Sequence, residues 1–189
     1  MYNVRKIGYI VINTREFQDS KLWKIWRATI TRTTCTYCSS LNGKILPVDG
    51  SGGISLPPVH PNCKCVIEAL KAIKAGMATD NGMNGADVYV SLYGMLPGYY
   101  IDSKTAAELG WEKLKGNLAE VLPGRMIGGD VFKNRKQKLP DKMGRIWREA
   151  DFDYKSGYRN SYRILYSNDG LVFVTYDHYM SFYEIVMEG

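Results

Sequence analysis

The chain has 189 residues, of which 45% are hydrophobic, 12% aromatic and 23% charged. This balance excludes a disordered chain and leaves ample material for a packed core, while no apolar run approaches the roughly 20 residues of a membrane-spanning helix. The net charge of +6 is uneven: up to Met77 there are 11 Lys+Arg against 4 Asp+Glu, and from Ala78 onward 14 against 15. The basicity therefore belongs to the first segment and says nothing of nucleic-acid binding by the second.

Met1 to Ile12 is basic and then apolar, but the apolar run is short and no small-residue cleavage site follows. It does not read as a signal peptide. From Ser20 to Thr29 the spacing of Leu22, Trp23 and Trp26 predicts a short helix. Next come Cys35 and Cys38, a turn at Leu41-Asn42-Gly43-Lys44 where Asn-Gly favours a tight hairpin, and a Gly/Pro/Ser-rich stretch from Asp49 to Pro58. His60-Pro61-Asn62-Cys63-Lys64-Cys65 completes the cysteine complement of the chain. Cys35, Cys38, Cys63 and Cys65, with His60 as a fifth donor, offer more than the four ligands of a tetrahedral structural zinc. Two disulfides, with three pairings open, are the alternative. Residues 65–75 read as a strand or a helix end, and residues 76–82, broken by Gly and Asn, as a linker.

Beyond the linker the periodicity turns helical. Ala86, Val90 and Tyr93, with Val88 and Leu92, predict a helix that ends before Pro97. Asp102 or Ser103 caps a second helix stopped by Gly110, and Asn117–Leu122 forms a third, closed by Pro123-Gly124. Five β-rich segments follow, at 125–132, 146–154, 162–168, 171–177 and 182–187. Helices first and strands afterwards predict an α+β fold with a five-stranded antiparallel sheet, preceded by a small Cys-rich module.

The β-rich half carries chemistry. Glu149 lies in Trp147-Arg148-Glu149-Ala150-Asp151, Arg159 and Arg163 stand four apart, and His178 is the only histidine of this half. A carboxylate base, a histidine acid and arginines that donate two hydrogen bonds to one phosphate are what metal-free RNA cleavage needs. Taken singly, each is a common surface group. Lys133, Arg135, Lys136, Lys138, Lys142, Arg145 and Arg148 crowd one stretch, which attracts phosphate or forms a solvated loop.

These residues sit within longer motifs: Leu109-Gly110-Trp111, Lys115-Gly116-Asn117-Leu118-Ala119, Ile127-Gly128-Gly129-Asp130-Val131-Phe132, Ser156-Gly157-Tyr158-Arg159-Asn160-Ser161, Arg163-Ile164-Leu165-Tyr166-Ser167 and Asp177-His178-Tyr179. On them the stretch from about Met83 to Ile185 resembles the barnase-type bacterial ribonucleases, without a gap. The resemblance implies Glu149 as general base, His178 as general acid, and Arg159 and Arg163 as the phosphate-stabilising pair. It also implies Phe132, Asn134 and Arg135 as the loop that receives the base, Asp130 as a carboxylate holding the site's charges, and Tyr179 beside the nucleotide. The reaction implied is transesterification of single-stranded RNA to a 2′,3′-cyclic phosphate and then hydrolysis to the 3′-phosphate, without a cofactor. Three positions depart from the family. Its active-site lysine aligns with Ser103, leaving Lys104 one place on as the candidate cation. Its guanine-binding glutamate is Lys136, which cannot accept a hydrogen bond, so guanine preference is not carried over. Gly170 replaces an aromatic.

Thr31–Cys38, Leu41-Asn42-Gly43 and Leu56–Cys65 resemble the end of the phage Mu F-type head morphogenesis domain of minor capsid proteins, a family also found ahead of toxin domains. The organisation expected is a partial carrier module over 1–75, the linker 76–82 and a ribonuclease domain over 83–189. The function expected is that of a toxin ribonuclease, monomeric, extracellular or virion-delivered, acting on RNA and not on membranes, with an acidic immunity protein resembling barstar as partner. The competing readings are a minor capsid component whose second domain binds RNA without cutting it, and a zinc-dependent nucleic-acid binder.

Overall fold

Val, Ile, Tyr, Phe and Trp come in short runs cut by Gly, Asn and Asp, and strands dominate accordingly. A computed structural model describes residues 15–187, so the reading of Met1–Ile12 lies outside the described residues. In chain order the elements are β1 (Phe17–Arg27), α1 (Thr36–Leu41), β2 (Ile45–Pro47), β3 (Val66–Lys74), α2 (Ala86–Tyr93), β4 (Tyr100–Ile101), α3 (Ser103–Glu108), α4 (Leu118–Val121), β5 (Met126–Phe132), β6 (Trp147–Asp151), β7 (Arg163–Ser167), β8 (Val172–Thr175) and β9 (Tyr183–Val186). The strands form one sheet in the order β2-β1-β3-β9-β8-β7-β6-β5-β4.

The α+β class holds, with two corrections. The sheet has nine strands, not five. Strands β5 to β9 are antiparallel to one another as expected, but β3 adds in parallel beside β9, β1 and β2 follow it, and β4 adds in parallel at the far edge. Nor do helices come first among the described elements: Ser20–Thr29, expected as a helix, falls largely within β1. There Lys24, Ile25 and Trp26 are buried in succession and the pairing with β3 shifts register between Asp19 and Lys24. A strand buried on both faces and interrupted by a bulge shows no clean alternation, and its tryptophans three apart mimic a helix. The turn at Leu41–Lys44 joins α1 to β2 and not two strands.

The later helices follow their caps. Asp102 accepts the Thr105 N–H at 2.9 Å at the start of α3, and Gly94 after α2 and Gly110 after α3 take the left-handed conformation at φ 66° and 100°. Residues 76–82 are tied down: the Asp87 carboxylate of α2 accepts the N–H of Gly76 at 2.7 Å and the hydroxyl of Thr79 at 3.1 Å, and Ala78 is buried.

Strand alternation makes two cores. Ile164, Tyr166, Val172 and Val174 pack with Ala86, Val88 and Val90 of α2 and with Ile73 of β3. On the opposite face Trp147, Leu165 and Phe173 pack with Leu139 and Phe182, and with Ile25, Ile45 and Leu70 of β1, β2 and β3. Strand β3 thus shares both cores with the later sheet, and β1 and β2 share the second. Leu70→Ala is expected to cost about 2–5 kcal/mol, seen as a lower urea midpoint in a single cooperative transition. Unchanged unfolding of the sheet would show that the first strands contribute nothing to it.

Candidate active site

Residues two apart on a strand share a face, so Glu149 and Asp151 of β6 project on the same side as Trp147. On β7, Arg163 pairs directly opposite Asp151. Asp151 is fully buried, and its carboxylate pairs with Arg163 Nε at 3.0 Å while accepting two hydrogen bonds of 2.6 Å from Arg159 Nε and Nη2. A bidentate guanidinium–carboxylate pair fixes both planes. Burial works against the charge of Arg159, but the hydrogen bonds and charge of Asp151 outweigh it and raise its pKa above the usual value. Arg163 is further anchored by the carbonyls of Asn160 and Tyr162, at 2.7 and 2.6 Å.

The third group arrives on the turn after β8. His178 and Tyr179 both hold positive φ, 55° and 69°, a conformation that costs non-glycine residues energy and persists only where neighbours over-determine it. They do so here. Ser161 O accepts the N–H of His178 at 3.2 Å, and Thr175 Oγ accepts that of Tyr179 at 3.0 Å. The Asp177 carboxylate accepts the N–H groups of Met180 and Ser181 and the Ser181 hydroxyl. Although burial opposes its charge, these donors hold Asp177 below the ordinary carboxylate range. Tyr179 then reaches across the sheet and donates to Glu149 Oε2 at 2.6 Å. Burial first, and the Glu149 carboxylate second, push the Tyr179 hydroxyl up, so the phenol keeps its proton and remains a donor.

Glu149, Arg159, Arg163, His178 and Tyr179 line one cavity of about 470 Å³. Its opposite wall is the loop carrying Trp111 and Lys113. That loop comes close because Gly116 has no side chain: a Cβ there would lie 2.9 Å from the Gly157 backbone. A second cavity, of about 550 Å³, shares Glu149, His178 and Tyr179 and is otherwise lined by the loop of Phe132, Asn134, Arg135, Lys136 and Lys138. Phe132 and Tyr179 stack with ring centroids 5.2 Å apart. The Asn134 amide brackets Leu139, donating to its carbonyl at 2.9 Å and accepting its N–H at 3.2 Å. It shapes the loop, which leaves the loop backbone and Arg135 to face a ligand.

Two expected residues stand apart from both cavities. Lys104 is on the exposed side of α3, 85% exposed, with Glu108 at 3.9 Å. Asp130 pairs in register with Glu149, and its carboxylate accepts the Ser103 N–H at 3.2 Å, which ties α3 to the sheet. The bulge that sets this register lies between Gly128 and Asp130, with Gly129 at φ 101°. Sequence reasoning passed over Asp151 and Lys113. The signal for Asp151 was available, as a second acid two residues after Glu149 on the strand that precedes two arginines; Lys113 carried none.

In the first segment all four cysteines are free thiols. They and His60 form two triads that share Cys38: Cys35–Cys38–His60 and Cys38–Cys63–Cys65. Backbone donors at Val59 and Cys65 hold the Cys63 thiol down to about 7, whereas burial pushes that of Cys38 up.

Three bacterial proteins named ribonuclease are similar to this chain. That of Bacillus pumilus is 43% identical over 140 residues, 74% of this chain and 86% of its own length. That of Heyndrickxia coagulans is 51% identical over 108 residues, 57% of this chain and 99% of its own. That of Bacillus intermedius is 50% identical over 109 residues, 58% of this chain and 67% of its own. The first match is longer than the stretch from Met83 to Gly189, and therefore reaches into the first segment. The ribonuclease family model matches residues 86–186.

Because Asp151 neutralises two partly buried cations, Asp151→Asn should lower stability by about 3 kcal/mol and free both guanidiniums. Urea unfolding measures the first effect, and an unchanged midpoint would contradict the clamp. With the family model covering more than half of the chain and 86% of the Bacillus pumilus relative aligned, this protein belongs to the barnase-type bacterial ribonucleases and is an endoribonuclease.

Proposed function

We propose that the enzyme cuts single-stranded RNA without a catalytic metal, by two successive transfers at one phosphorus. The observation that carries the proposal is the convergence of Glu149, Arg159, Arg163 and His178 on one cavity. Glu149 takes the proton of the 2′-hydroxyl, and the 2′-oxygen attacks phosphorus. The bond to the 5′-oxygen breaks, and His178 protonates that oxygen as it leaves. Arg159 and Arg163, held by Asp151, meet the charge that grows on the non-bridging oxygens. A water then opens the 2′,3′-cyclic phosphate to the 3′-phosphate, with the two roles exchanged. Tyr179 orients Glu149 through its 2.6 Å hydrogen bond.

The base enters the second cavity, against Phe132 and the loop of Asn134 and Arg135. Lys136 supplies donors where guanine's N–H groups need acceptors, so guanine must be held by backbone carbonyls or lose its advantage over other bases. Lys113, on the wall of the first cavity, is better placed than Lys104 to meet a phosphate.

Such an enzyme endangers the cell that makes it. Its role on this reading is that of a toxin, delivered outside the cell or with a virion, active as a monomer and restrained by an acidic immunity protein resembling barstar. Residues 1–75 are a carrier module of phage-head origin, joined through 76–82. The cysteine cluster is a structural metal centre with no part in the reaction.

Cleavage of a short ribo-oligonucleotide in excess EDTA tests the mechanism. Wild type should yield a terminal 2′,3′-cyclic phosphate, and Glu149→Ala and His178→Ala should each lose something like 10²-fold or more in rate. Absence of cleavage by wild type, or full activity of either variant, would overturn the assignment.

A further inference from the structure

Five donors converge where a tetrahedral ion takes four. Cys35 caps α1 and its sulfur accepts the N–H of Cys38 at 3.3 Å, an arrangement that turns both sulfurs to one side of the short helix. His60 Nε2 lies 3.3 Å from Cys35 Sγ and 3.2 Å from Cys38 Sγ. Cys63 Sγ lies 3.8 Å from Cys38 Sγ, much farther than the roughly 2.05 Å of a disulfide. His60 Nδ1–H donates to the Pro61 carbonyl at 2.8 Å, which leaves the lone pair of Nε2 facing the sulfurs, as in histidine ligands oriented from behind by a carbonyl. Two thiolates and an imidazole at zinc distances and tetrahedral angles stand about 3.8 Å apart, sulfur to sulfur, and about 3.5 Å, sulfur to nitrogen. The three spacings around Cys38 and His60 agree with these to about 0.3 Å, while Cys63 touches the Cys35–Cys38–His60 triad through Cys38 and must close on its other members to complete a tetrahedron. Cys65 Sγ also lies within 4.8 Å of Cys38 Sγ and Cys63 Sγ, and so competes with Cys63 for the fourth place, but the residue packs against the small core of Trp26, Leu41 and Leu46.

We propose that Cys35, Cys38, His60 and Cys63 bind one divalent ion of the zinc class, with Cys65 serving the packing beneath it. The inference deepens the metal-centre reading above and is independent of the ribonuclease mechanism. Bound there, the ion fastens α1 to the 60–63 loop. The chain leaves α1 through the Asn42–Gly43 turn into β2, where Ile45 N–H donates to the Lys138 carbonyl at 2.8 Å. The ion therefore supports, from a distance in sequence, the segment that backs the base-receiving loop.

Metal content of the full chain, purified without added metal, is the first measurement. About one zinc per chain is expected, and cobalt substitution should give the absorption of a tetrahedral site with three thiolates. Cys38→Ser and Cys63→Ser should each weaken binding by at least about 10²-fold in competition with a chromogenic chelator, while Cys65→Ser keeps one equivalent. Because a cysteine variant that loses its metal can also lose its fold, the thiolate count on the wild-type cobalt protein tests the ligand set on its own. A metal-free wild type with two disulfides would overturn the metal centre altogether. Metal kept by Cys63→Ser and lost by Cys65→Ser, or a four-thiolate cobalt spectrum, would overturn the ligand set while leaving the metal centre in place.

Discussion

A carboxylate sealed from solvent, Asp151, binds two arginines that reach it from a strand and from the loop before it. Burying an ion is costly unless partners satisfy it, and here both guanidiniums and the register of β6 and β7 supply that satisfaction. The consequences spread outward. With Arg163 fixed, the loop of Arg159 to Tyr162 has one conformation, and Ser161 of that loop accepts the His178 N–H. With β6 fixed, Glu149 stands two residues away on the same face, within reach of Tyr179. The backbone strain at His178 and Tyr179 is sustained by the same contacts. A single buried charge thus orders groups that come from three separate stretches of chain.

The first segment contributes to this frame rather than hanging from it. Strand β3 pairs with β9, and Ile25, Ile45 and Leu70 complete the core beneath Trp147 and Phe173. Lys138 links the two halves: its carbonyl accepts from Ile45, its side chain passes over Gly43, and its ammonium donates to the Tyr179 and Met180 carbonyls at 3.3 and 3.1 Å. Burial lowers the pKa of that ammonium, and the charge of Lys136 adds to the effect. The turn that carries His178 and Tyr179 therefore rests partly on the first segment, into which the match with the Bacillus pumilus relative also extends.

Much of this was legible in the residues, unevenly. Strands β5 to β9 and helices α2 to α4 were legible because turn residues and caps punctuate them and their partners are neighbours in sequence. Strand β1 was not, since burial on both faces and a bulge erase the period of two. The nine-strand count was out of reach for a related reason: pairing β3 with β9 joins residues more than a hundred positions apart, and no local pattern encodes it. The charged groups of the cavity were recognised through their motifs. Asp151 was overlooked because a buried acid reads like any other carboxylate until its partners are placed. Lys104, singled out as the candidate cation, stands on the exposed side of α3 and lines neither cavity, because the face a helical side chain takes turns by about 100° per residue.

The central claim is that one carboxylate and one imidazole divide the proton transfers at a single phosphate. Its most direct test is kcat/KM against pH for a dinucleotide substrate in EDTA, with wild type beside Glu149→Gln and His178→Ala. A base that must be ionised and an acid that must be protonated give a profile that rises and then falls, and the account predicts that shape for wild type, with the rising limb lost in Glu149→Gln and the falling limb lost in His178→Ala. A wild-type profile flat from about pH 4 to 9, or one that both substitutions leave unchanged, would contradict it.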